Sequence, residues 1–74
     1  MHLETANVSP GDWIIISGHN PTDLRPRMIQ VGDAPPQQAL FEGGRMMVRC
    51  PEVHQRATVL VDGERVGSLV STPK

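Results

Sequence analysis

The chain has 74 residues, room for one small domain, since domains mostly run from roughly 50 to 250 residues. Seven basic residues stand against eight acidic ones, for a formal net charge of -1, a balance that excludes a disordered polyelectrolyte and argues against a general nucleic-acid binder, which carries a basic excess. One Cys excludes an internal disulfide, three scattered His make no metal cluster, and no apolar run nears the roughly 18 residues that span a bilayer.

The start, Met1-His2-Leu3-Glu4, has neither the basic nor the apolar region of a signal peptide. Residues 1–9 and 71–74 read as loose ends of a single domain covering 1–74. Seven Pro and seven Gly cut the chain into short pieces and leave no helical period of useful length. Trp13-Ile14-Ile15-Ile16-Ser17, bounded by Pro10-Gly11-Asp12 and Gly18-His19-Asn20-Pro21, predicts the first strand. Arg27-Met28-Ile29-Gln30-Val31 predicts the next, closed by Gly32-Asp33-Ala34-Pro35-Pro36. Gln37-Gln38-Ala39-Leu40-Phe41 fits either a short strand or one helical turn. Arg45 to Cys50 alternates and stops at Pro51. Ala57-Thr58-Val59-Leu60-Val61 meets Asp62-Gly63, and Glu64 to Val70 returns. Two strands joined by Asp-Gly predict a hairpin with a type I′ turn, which needs positive φ at both central positions. At least five strands with no helix predict an all-β sandwich, with a small SH3- or OB-like barrel as the alternative.

Chemistry-bearing motifs are missing. There is no GxGxxG, no P-loop and no Ser in a nucleophile elbow. Gly43-Gly44 before Arg45 fits a hairpin or bulge better than an anion nest. Cys50 falls on the inward phase of its strand as a small core hydrophobe, and a nucleophilic role would need His54 as base. His19 with Asn20 and Asp23 is a metal-like grouping that turn chemistry explains, and Asp12, Asp33 and Asp62 each stand beside a Gly as turn residues do. The expectation is a non-catalytic protein with no cofactor and no metal. Arg25-Pro26-Arg27 is the densest basic spot, but Asp23 lies beside it and a solvated loop accounts for it. A nucleic-acid-binding barrel would also offer exposed aromatics for base stacking, and Trp13 is the only platform on hand.

The order of strands and punctuators resembles the IPT/TIG family of immunoglobulin-like domains. Val8-Ser9-Pro10 leads to Ile14-x-Ile16-x-Gly18-x-Asn20, then Ile29-Gln30-Val31-Gly32-Asp33-Ala34-Pro35, then Met46-x-Val48-x-Cys50-Pro51, and last Ala57 to Gly63 with a return strand to Ser71. The resemblance covers residues 8 to about 71, with two departures: Pro21 stands where the family usually has an aromatic, and the chain is shorter than most members. It implies a small immunoglobulin-like β-sandwich without catalysis. Such domains serve as protein-contact modules, as parts of Rel-type transcription factors, beside carbohydrate-active or adhesive domains, and on phage particles.

Period-2 alternation phases the strands. With Ile14 and Ile16 inward, Trp13, Ile15 and Ser17 point outward, and with Met46, Val48 and Cys50 inward, Met47 and Arg49 point outward. Immunoglobulin-like topology sets these strands side by side, so Trp13, Ile15, Met47 and Arg49 form one apolar patch with a cation, rich in interface residue types. The competing expectation is that the N-terminal segment, through Leu3 and Val8, folds across and covers it. The first functional expectation is a protein-contact module assembled without export: a small phage virion component such as a head decoration or tail accessory protein. A carbohydrate- or adhesion-type module of a larger secreted protein is the alternative. A nucleic-acid barrel using Arg25 and Arg27 comes after both.

Overall fold

Short β-branched and apolar runs between Pro and Gly breaks leave strands as the regular element of the computed structural model, which describes residues 1–18, 25–53 and 55–72. His19, Asn20, Asp23 and His54, weighed above for turn, metal or base roles, lie outside the described residues. In chain order the strands are β1 (His2–Leu3), β2 (Asn7–Val8), β3 (Trp13–Ser17), β4 (Arg27–Val31), β5 (Gln37–Ala39), β6 (Arg45–Arg49), β7 (Gln55–Val61) and β8 (Glu64–Ser71). The ambiguous segment after Pro36 is therefore a strand at its start.

They form two sheets. Sheet 1 has the order β1-β3-β6 and sheet 2 the order β2-β8-β7-β4-β5. With β4, β7 and β8 adjacent in one sheet and β1, β3 and β6 in the other, the chain is a small all-β fold around one core.

Alternation puts that core where the pattern places it. Ile14, Ile16, Met46 and Val48 from sheet 1 face Ile29, Val31, Ala57, Val59, Val61 and Leu69 from sheet 2, all buried, with Cys50 beside them. Each fully buried Ile, Leu or Met contributes about 1.5–3 kcal/mol relative to exposure.

The N-terminal stretch is not loose. β1 pairs antiparallel with β3, β2 pairs parallel with β8, and the turn between them carries the chain from sheet 1 to sheet 2. Val8 is buried and Leu3 packs against the core. At the other end Ser71 is buried, with Val8 as its strand partner. Two-residue strands carry no periodicity, so apolar residues at positions 3 and 8 were the whole of their signal.

Two glycines matter to the path. Asp62 and Gly63 have φ of 51° and 85°, the type I′ hairpin expected between β7 and β8. At Gly67 a Cβ would sit 3.0 Å from the Leu3 Cβ, so the bare glycine lets β1 lie close against β8. A β-bulge in β8 falls beside this crossing, between the pairs Val59↔Gly67 and Leu60↔Arg65.

Candidate functional site

The outward residues of β3 and β6 meet in register: Trp13 opposite Arg49, Ile15 opposite Met47, Ser17 opposite Arg45. All four patch residues expected from the alternation thus lie together. Trp13 and Met47 are 46% and 47% exposed, where a solvent-facing strand ordinarily presents polar side chains. Ile15 is half-buried between them.

Polar contacts hold the rim of this apolar strip. The Arg49 guanidinium carbon lies 3.9 Å from the Trp13 ring centroid, and Nη1 donates a 2.7 Å hydrogen bond to the Gly11 carbonyl. A guanidinium over an indole face is attracted by the ring quadrupole. At the other end, Arg45 Nε lies 3.8 Å from Glu4 Oε2, and the Ser17 hydroxyl bonds the His2 ring.

The N-terminal segment does not cover the strip. It runs along the edge of β3, where the Glu4 N–H donates to the Ile15 carbonyl and the Ile15 N–H donates to Thr5 Oγ1, each at 2.9 Å. Leu3 and Val8, the residues that suggested a cover, turn inward instead.

Beside the strip a cleft of about 550 Å³ opens between β5 and β6, lined by Trp13, Met47, Leu40, Gln38, Arg45 and Pro26 among others. Both of its ends are stapled. Gln37 Nε2 donates to the Arg49 carbonyl at 2.8 Å, and Glu42 and Arg45 exchange backbone bonds of 2.9 and 3.1 Å around Gly43-Gly44, whose φ of 59° and 82° make a tight hairpin turn. Leu40, half exposed at the cleft lip, was not singled out from the sequence: its segment read as ambiguous, and only the β5–β6 approach gives it a place.

The basic loop is drawn into the fold. Arg27 Nη1 bonds Asp62 Oδ2 at 3.1 Å, and the Met28 N–H donates to Asp62 Oδ1 at 3.0 Å. The Met28 bond first, then the Arg27 bond and the nearby Arg25 charge, hold the Asp62 carboxyl below its ordinary value. Arg25, Pro26, Arg27 and Asp62 line one small cavity, so a carboxylate sits where a phosphate would have to approach. Cys50 is buried, and its thiol donates to the Pro51 carbonyl at 3.3 Å, as suits a core residue.

No protein-family model matches the chain, and no curated protein or solved structure matches it. No helix among the described residues is long and apolar enough to cross a membrane.

Proposed function

We propose that the chain is a non-catalytic module whose task is a protein–protein contact through the outer face of sheet 1. The observation that carries this is the exposed strip Trp13, Ile15 and Met47 with Arg49 tied over the indole. An apolar centre with a polar rim, built of Trp, Met and Arg, is the make-up of an interface hot spot. With both ends of the β5–β6 seam stapled, contact goes through side chains of the face and cleft rather than by adding a strand to β6. A phage head or tail is the particular setting, suggested by similar small immunoglobulin-like domains that decorate phage particles.

The test is a photo-crosslinking amino acid at position 47, compared with one at position 58 on the outer face of sheet 2, in the cells that make the protein. Protein adducts from position 47 and none from position 58 are expected. Adducts from neither, or equally from both, overturn the proposal.

The cleft favours one second reading, a carbohydrate contact, because Trp13 offers a stacking surface beside Gln38, Glu42 and Arg45. Isothermal titration against a glycan panel decides it, and no heat with any glycan removes it.

A further inference from the structure

We infer that the occupant of this face is a second copy of the chain, related by a two-fold axis that lies in the face and runs parallel to β3 and β6, between them. The inference rests on sheet 1 being the contact face. It follows from the register. A rotation about that axis keeps each row of residues in place along the strands and exchanges β3 with β6. Trp13 then faces Arg49 of the other copy, Ile15 faces Met47, and Ser17 faces Arg45. Every row is self-complementary: a cation over an aromatic ring, apolar on apolar, a hydroxyl with a guanidinium. A two-fold axis across the strands would instead set Arg49 against Arg45, two like charges on a face being desolvated, and is disfavoured for that reason. The chosen arrangement is an aligned sheet-on-sheet packing within an isologous dimer.

The size of the face sets the strength. β3 and β6, five residues each, give a surface about 17 by 10 Å, widened only at one end by the two-residue β1. That is small beside the roughly 800 Å² per partner of a standard interface, so the dimer belongs to the weak, concentration-dependent class. The charges on and beside the face are balanced, Arg45 and Arg49 with Glu4 and Glu42. A second copy therefore brings no net repulsion, and a partner of strongly acidic or basic character has no matching excess to meet.

Sedimentation equilibrium from micromolar to millimolar concentration tests the dimer. The unaltered chain is expected to pass from monomer to dimer over that range. Trp13→Ala and Arg49→Glu each weaken it by about tenfold or more, the scale of a hot-spot truncation, and Met28→Ala, on the outer face of sheet 2, leaves it unchanged. Because Arg49 is exposed, Arg49→Glu keeps the test valid if Trp13→Ala folds poorly. A short bismaleimide tests the axis. Ser17→Cys chains cross-link to one another, because the axis parallel to the strands keeps row 17 against itself, whereas an axis across the strands sets it against row 13. A monomer throughout, a dimer indifferent to both substitutions, or Ser17→Cys chains that fail to cross-link overturn the inference. A purified monomer that still gives photo-adducts to another protein from position 47 sinks the second copy alone. No photo-adduct at all sinks the contact face with it.

Discussion

Arg49 and Trp13, 36 positions apart in the chain, stand opposite each other on β6 and β3 with the guanidinium 3.9 Å from the indole centroid. The Gly11 carbonyl fixes that guanidinium from the loop before β3, so the pair is ordered before anything binds. Side chains already held in place lose less conformational freedom on association, which is where preorganised contacts gain affinity.

Trp13 is the only Trp, so its fluorescence reports on this pair alone. Arg49→Met should shift the emission maximum and cost about 0.5–1 kcal/mol of folding stability, the range of an exposed cation–π contact. An unchanged spectrum would mean that the guanidinium does not sit over the ring in solution.

Met46 and Met47 are neighbours with opposite fates, one fully buried and one 47% exposed. Met46→Ala should destabilise by about 2–5 kcal/mol through loss of burial and the cavity left behind. Met47→Ala should stay within about 0.5 kcal/mol when measured on the monomer. Urea unfolding of the two variants reads the phase of β6 directly, and equal effects would show that phase to be wrong.

Gly67→Ala places a methyl 3.0 Å from the Leu3 Cβ. Overpacking of this kind costs about 1–3 kcal/mol. Adding Leu3→Gly should recover part of the loss, because it removes the Cβ that the new methyl meets. A double-mutant cycle with no coupling would mean that β1 does not cross β8 at that point.

The Asp62 carboxylate accepts bonds from the Met28 N–H and from Arg27, which lowers its pKa in the fold. A lowered folded pKa stabilises the native state above the unfolded carboxylate value of about 3.9, and the contribution fades as pH falls through the folded value. Asp62→Asn should therefore be less stable than the parent at neutral pH, with the gap closing in acid. Urea midpoints for both chains across that range check the sign, and a gap that widens in acid contradicts it.

Much of the core was legible beforehand. The strands around Ile14, Ile29, Val48 and Val59 follow from β-branched runs between Pro and Gly, and the inward phase of Met46 and Cys50 follows from alternation. So does the outward set Trp13, Ile15, Met47 and Arg49. The cleft beside them was not legible, because Gln38 and Leu40 carry no pattern of their own and line a surface only where β5 approaches β6. The Asp62 tether to Arg27 and Met28 was hidden for the same reason: Asp-Gly signals a turn and says nothing about residues 34 and 35 positions away.

The sequence by itself determined the local geometry: which pieces are extended, where the chain turns, and which side of each strand is apolar. These depend on φ preferences and a period of two, both set within a few residues. Tertiary structure alone decided the strand order, the passage of β1 and β2 from one sheet to the other, and the stapled seam next to the exposed strip. Those depend on hydrogen bonds and contacts between residues far apart in sequence. Such pairings are chosen by how all the strands together bury one core, and no single segment contains that information.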